Sequence, residues 1–176
     1  MYNESMNYFE LYEIPIRFDP NQDLIKQKFY ALSKKYHPDF YINESQEKQD
    51  EVLELSTLNN KAFQVLKDDQ KRLHYVLQLK GQLVEGENYS LPQDFLMEMM
   101  EINEALMELD FDATKLATLR NQISDTENSL NSDLKALTSS FDNDEGVEQE
   151  NTLKAIKDIY YRNKYLWRIK ESLNRR

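Results

Sequence analysis

The sequence predicts an all-α protein built from two helical modules. Three observations predict it. The 176 residues hold only three Gly and four Pro, too few for the turns a sheet protein needs. Apolar residues recur at spacings of three and four through most of the chain, the period of a helix with one buried face. Charge is spread unevenly. Residues 1–80 carry 11 basic and 13 acidic side chains, residues 81–150 carry 3 and 17, and residues 151–176 carry 8 and 2. Such a split fits a first module followed by a second one with an acidic body and a basic closing helix.

The elements follow in order. Met6–Ile14 reads as a short apolar-rich helix stopped before Pro15. Asp19-Pro20 reads as a cap followed by Pro at the first helical position. Behind it, Ile25, Phe29, Leu32 and Tyr36 form one buried face, and Pro38 ends the helix. The stretch from Asp39 to Gln46 is a predicted loop. A helix resumes near Gln46 and runs to Leu66, with Val52, Leu55, Ala62, Phe63 and Leu66 as predicted core. A break at Lys67–Gln70 precedes a shorter helix, Gln70–Lys80, ended by Gly81. The result is a helical hairpin with short flanking helices over residues 1–80. Residues 81–91, with two of the three Gly, form the expected linker. Residues 92–176 then give three helices, at about 92–109, 112–140 and 147–173, broken at Asp110–Asp112 and Asp142–Gly146. Short loops between them predict an antiparallel three-helix bundle.

Composition removes several function classes. The chain has no Cys, so disulfides, thiolate metal sites and a cysteine nucleophile are excluded. A net charge of −10 argues against nucleic acid as a partner, because phosphate binding draws on Lys and Arg. No apolar run reaches 18 residues, so no membrane span is expected, and the N-terminus lacks the pattern of a signal peptide. A cytoplasmic protein without a cofactor is the expectation.

One stretch departs from the acidic background. Leu24–Tyr36 holds four lysines and no acid, and it runs directly into His37-Pro38-Asp39. Lys26, Tyr30 and Lys34 lie opposite the Ile25/Phe29/Leu32 face, with Lys35 beside the apolar face. Taken alone, the lysines describe a solvated helix face and the tripeptide a turn. An acid–base pair of His37 and Asp39 would need a nucleophile, an oxyanion site and a pocket, and the sequence offers none of the motifs that build them. His74 lies on a helix and reads as a structural or surface residue.

The combination is more specific. A short apolar helix, a basic amphipathic helix, His-Pro-Asp at its end and a returning helix resemble a J domain. The downstream positions Asn60, Ala62, Phe63, Leu66, Arg72 and Tyr75 resemble the same family's Asn-x-Ala-aromatic-x-x-Leu helix and Arg-x-x-Tyr pair. That resemblance implies docking on a DnaK-type ATP-dependent chaperone and stimulation of its ATPase, through His37, Pro38, Asp39, Lys26, Tyr30, Lys34 and Lys35. Two positions depart from the family pattern: Phe40 stands where Lys or Arg is usual, and Asp69 where Pro is common.

The second module sharpens the resemblance. "LPQDFLMEMMEINEALMEL" is similar to a helix of HscB-type co-chaperones of iron–sulfur cluster assembly, which bring an IscU-type scaffold protein to a DnaK/HscA-type chaperone. In that helix Phe95, Met99, Ile102, Leu106 and Leu109 fill a core stripe, which leaves Leu96, Met97 and Met100 outside it beside Glu101 and Glu104. An adaptable Met-rich patch is either an interface or a second packing face. In the closing helix Ile156, Ile159, Leu166, Ile169 and Leu173 form the core stripe, with Tyr161, Tyr165 and Arg168 on the other side. The resemblance implies a scaffold contact at Tyr161, or at Tyr165 one turn on. Such a chain binds no metal itself and is not an enzyme. A J-domain co-chaperone specialised for a different client is the alternative.

Overall fold

The computed structural model describes residues 6–108, 112–143 and 149–174, and every regular element among them is helical. The chain divides into two compact units, Met1–Lys80 and Gly81–Arg176. The predicted core residue Leu109, the residues Asp110 and Phe111, and the Asp144–Gly146 part of the predicted acidic turn lie outside the described residues.

The first unit contains α1 (Tyr8–Leu11), α2 (Gln22–Lys35), a 3-10 turn (Pro38–Tyr41), α3 (Gln46–Leu66) and α4 (Asp69–Leu79). Helix α1 is shorter than the predicted Met6–Ile14. Asn7 closes its start with a capping box to Glu10, and Glu13, at φ 54°, turns the chain out of the helix. Helix α2 is capped by Asn21 rather than by the predicted Asp19. The Asn21 Oδ1 accepts from the backbone N–H groups of Asp23 and Leu24, so Pro20 precedes the cap. The predicted loop after Pro38 holds the 3-10 turn, and α4 starts one residue earlier than expected because Asp68 caps it. Gly81, at φ +68°, follows the end of α4 in the left-handed conformation that helix ends favour.

Helices α2 and α3 are antiparallel. Phe29 stacks on Phe63 with ring centroids 4.1 Å apart, Ser33 bonds Asn59, and Gln22 reaches the Leu66 carbonyl. Their apolar faces bury Ile25, Val52, Leu55, Ala62 and Leu66; Phe63 is half-buried at the edge. Asn59 is 1% exposed, in the middle of this seam. Its Nδ2 donates to the Phe29 carbonyl at 3.1 Å and the Ser33 Oγ at 3.0 Å, and its Oδ1 accepts from the Tyr12 hydroxyl at 2.9 Å. One amide therefore joins α2, α3 and the chain behind α1. Arg72 of α4 ties the end of α3 to the chain before α2. It is buried, and its guanidinium donates to the carbonyls of Phe18 and Leu66, each at 2.7 Å, and to Asp69 at 2.6 Å. Tyr75 accepts from the Tyr8 N–H and stacks on its ring.

The second unit contains α5 (Gln93–Met107), α6 (Ala113–Asn143) and α7 (Gln149–Asn174). Asp112 caps α6 by accepting from the N–H groups of Thr114 and Lys115. That helix runs to Asn143, beyond the predicted end at 140, so Asp142 is helical. The Glu127–Lys170 and Asn131–Asn163 pairs run in opposite chain directions, so α6 and α7 are antiparallel. The core comprises Phe95, Met99, Ile102 and Leu106 of α5, Leu119, Ile123 and Leu130 of α6, and Ile159, Leu166, Ile169 and Leu173 of α7. All the described residues of both predicted stripes are buried. No helix among the described residues is long and apolar enough to cross a membrane.

Asn59→Ala should destabilise the protein by about 2–3 kcal/mol, because a buried hydroxyl and a serine lose their partner while a small cavity opens. Urea unfolding followed by circular dichroism measures it. An unchanged midpoint would remove Asn59 from its place as the tie of the hairpin.

Candidate functional site

The tip of the first unit is built by the chain's own stop signals. Tyr36 ends α2, and His37 enters extended backbone at φ −74°, ψ 121°, the conformation favoured before proline. Pro38 then starts the 3-10 turn, a position where its missing N–H costs nothing. The His37 Nδ1 accepts from the Asp39 N–H at 3.3 Å, and the His37 carbonyl accepts from the Phe40 N–H at 3.0 Å. With Nδ1 used as an acceptor, neutral His37 carries its proton on Nε2, a donor free to face outward. The Asp39 carboxylate lies 3.8 Å from Nδ1, and both side chains are open to solvent, 52% and 76% exposed.

The turn is held at both ends. The Tyr41 hydroxyl donates to the Lys35 carbonyl at 2.8 Å, and the Gln49 amide donates to the carbonyls of Ile42 and Glu44. Lys34 and Lys35 occupy the last turn of α2, where positive charge complements the helix dipole. Tyr30 and Lys26 continue the exposed face back along α2. Lys28 takes no part in that face: it pairs with Glu13 at 2.7 Å. Lys26 is held only weakly, 3.9 Å from Asp23. Phe40 is 69% exposed, its ring 5.5 Å from the His37 ring.

Both departures from the J-domain pattern have a structural setting. Asp69 occupies the first position of α4, where proline is favoured and where an acid also suits the helix dipole. There it gains the Arg72 contact. Phe40 carries no core load and presents an apolar ring in place of a charge.

In the second unit, Leu96 is half-buried, while Met97 and Met100 are 57% and 58% exposed beside exposed Glu101 and Glu104. Leu96, Tyr161 and Tyr165 line one groove between α5 and α7. Met97, Met100, Glu101 and Glu104 lie outside it, further along α5. Neither tyrosine stands free. Tyr165 packs against the core in a T-shaped pair with Phe95, centroids 6.2 Å apart. Tyr161 stacks on Tyr89, centroids 4.4 Å apart and planes within 7°, and its hydroxyl donates to Glu87 at 3.2 Å.

Glu87 and Tyr89 belong to the segment expected as linker. Its second half is a strap tied to α7. The Lys157 Nζ donates to Glu87 at 2.6 Å, the Tyr89 hydroxyl donates to Asp158 at 2.9 Å, and Arg162 donates to the same Asp158 at 2.6 Å. The bond from Lys157 holds the Glu87 carboxyl below its ordinary range. Burial, then the bond to Asp158, pushes the Tyr89 hydroxyl up to about 12. The two halves of the pairing are each visible in the sequence, Glu87 and Tyr89 two apart and Lys157, Asp158, Tyr161 and Arg162 on one face of a helix, but nothing local in the sequence joins them.

An apolar hairpin with an exposed His-Pro-Asp turn at the end of a basic helix defines a J-domain protein, here continued by a three-helix unit. Comparisons with known proteins agree. A DnaJ domain model matches residues 7–75, and a model described as the HSCB C-terminal oligomerisation domain matches residues 91–174. The co-chaperone HscB homolog of Shewanella amazonensis is 30% identical over 174 residues, 97% of this chain and 96% of its own length. The HscB homolog of Vibrio cholerae is 38% identical over 102 residues, a match that spans 57% of this chain and 60% of that protein. The solved structure of HscB from Vibrio cholerae is 26% identical and superposes with a TM-score of 0.66 over 97% of this chain and 96% of its own. Human HscB, 24% identical, shares the fold with a TM-score of 0.72 over 98% of this chain and 82% of that one. The chain belongs to the HscB family of J-domain co-chaperones.

The strap has a pH sign. Glu87 titrates lower in the folded protein than unfolded, so its contribution is full above the unfolded carboxyl value of about 4.3. It is lost as pH falls through the lower folded value. The near-ultraviolet circular dichroism of the stacked Tyr89–Tyr161 pair should fade over that range. At neutral pH, Lys157→Ala should mimic it: a glutamate-specific protease that cuts wild type after exposed Glu85 should now also cut after Glu87. Resistance of Glu87 in the variant would show that the strap is held elsewhere.

Proposed function

We propose that this protein docks a DnaK/HscA-type chaperone with its first unit, stimulates that chaperone's ATPase, and delivers an IscU-type iron–sulfur scaffold held by its second unit. The observation that carries the reading is the exposed His-Pro-Asp turn at the end of a basic helix, in a chain of the HscB family.

The chemistry of the tip supports a docking role rather than catalysis. Lys26 and Lys34 share one exposed face, and Lys35 adds charge at the last turn of α2, on a protein of net charge −10. Such a face steers toward an acidic surface and raises the encounter rate, more at low salt. His37 then offers an outward donor and Asp39 an acceptor, from a turn whose backbone is already ordered. Pre-ordering lowers the entropy lost on binding, and charge-assisted bonds fix the orientation. Activation of the ATPase is indirect: the tip binds one conformation of the chaperone better than the other and shifts the population toward it.

On the second unit, Leu96, Met97 and Met100 offer adaptable apolar contacts flanked by Glu101 and Glu104, with Tyr161 at the edge. The iron–sulfur cluster is cargo on the scaffold, and this chain needs no metal of its own for either task.

His37→Gln and Asp39→Asn should each abolish stimulation of steady-state ATP turnover by the chaperone while leaving the melting temperature unchanged, since neither side chain enters the core. Near-normal stimulation by both variants would end the J-domain part of the reading. For the second unit, Leu96→Ala and Met100→Ala should each weaken scaffold binding by about 1–3 kcal/mol in titration calorimetry. Unchanged scaffold affinity with a normal chaperone response would favour a co-chaperone for a different client.

A further inference from the structure

The groove between α5, α7 and the strap has a volume of about 430 Å³. Its lining combines Leu96, Tyr89, Tyr161 and Tyr165 with two cations, Lys164 and Arg168, and with Glu87, whose carboxylate is already held by Lys157 and the Tyr161 hydroxyl. The neighbouring cations on α7 are all committed. Lys154 pairs with Glu150, Lys157 with Glu87, Arg162 with Asp158 and Lys170 with Glu127, none further than 2.8 Å. Lys164 and Arg168 are exposed and are not ion-paired among the described residues. They stand one turn apart over a floor of aromatic rings.

Resting on the function proposed above, we infer that this groove is the second half of the scaffold-binding site and that it receives a carboxylate of the scaffold between Lys164 and Arg168. Two observations point to that occupant. The groove is continuous with the proposed scaffold face, because Leu96 belongs to both, and Met100 follows Leu96 by one turn. The charges then separate by helix: Glu101 and Glu104 on α5, Lys164 and Arg168 on α7, with the apolar side chains between. A partner that fits must carry an apolar ridge with a basic group toward α5 and an acidic group toward α7. A carboxylate set beside the strap would meet both cations and form charge-assisted bonds with them. The opposed signs also give the scaffold one allowed orientation, since the reversed pose sets like charges together. The strap is then a wall of the site: its ties to Lys157 and Asp158 keep Tyr89 and Tyr161 in place and leave Lys164 and Arg168 to the partner.

Titration calorimetry of the full chain with the IscU-type scaffold tests this, using Lys164→Glu, Arg168→Glu, the double variant and Leu96→Ala. Each charge reversal should weaken binding by about fivefold or more, and the double variant further, at unchanged melting temperature. Lys164→Gln and Arg168→Gln should fall in the same direction with smaller effect, and they serve if a reversal disturbs folding. Among carboxylate-to-lysine variants of the scaffold, one should restore affinity for Arg168→Glu. If Leu96→Ala weakens binding while the double reversal binds as well as wild type, the groove inference fails and the scaffold reading stands. If wild type does not bind the scaffold, or Leu96→Ala and the double reversal are both without effect, the scaffold reading fails and the inference with it.

Discussion

The geometry of the first unit depends on one buried amide. Two amphipathic helices packed by apolar faces alone have several near-equivalent pairings, because apolar contact is not directional. Asn59 removes that freedom. Its Nδ2 is satisfied only when α3 faces the Phe29 carbonyl and Ser33 of α2, and its Oδ1 only when Tyr12 is brought in behind. A buried polar group left unmade costs far more than a made one contributes, so the penalty for a wrong register exceeds the gain from the right one. Arg72 sets the far end of the same hairpin through two backbone carbonyls. Between them, the direction in which α2 delivers the His37 turn is fixed by buried hydrogen bonds, while the turn itself contributes nothing to the core.

The second unit solves a different problem with the same means. Among the described residues its buried side chains are all apolar. Polar ties at the surface join its elements: Glu127 to Lys170, Thr126 to Glu98, and the strap to Lys157 and Asp158. These also sort the cations of α7 into those paired within the unit and the exposed Lys164 and Arg168.

Much of this was legible in the sequence, for identifiable reasons. Helix periodicity located the core stripes of α5 and α7, because an apolar stripe at spacings of three and four has few other uses; Ile156, Ile159, Leu166, Ile169 and Leu173 are all buried. It gave no stripe for α6, whose Leu119, Ile123 and Leu130 are buried, and of the α2 face only Ile25 is fully buried, with Phe29, Leu32 and Tyr36 at its edge. The His-Pro-Asp break was visible because proline cannot continue a helix already under way. The helix caps were less legible: Asp19, Asn21, Asp68 and Asp69 are all good capping residues, and only the backbone decides which one is used. Asn59 was hidden because a polar residue inside a stripe reads as exposed, and its neighbour Asn60 carries the family pattern. The strap was hidden because its partners are 69 to 74 residues away in the chain. No local pattern states such a pairing, and a Gly-containing stretch reads as linker whenever its anchors are distant.

The separation between an exposed tip and a buried tie has an evolutionary consequence. His37, Pro38, Asp39 and Phe40 are all open to solvent, so substitutions there change what the surface presents with little effect on the folded population. Asn59 and Arg72 behave in the opposite way: a change there lowers the amount of folded protein in a cell before it alters any surface. Selection can therefore tune partner choice and abundance along independent routes. Phe40, an aromatic ring where relatives of its class usually carry a charge, is the kind of change such an arrangement tolerates, because the scaffold beneath it does not register the exchange.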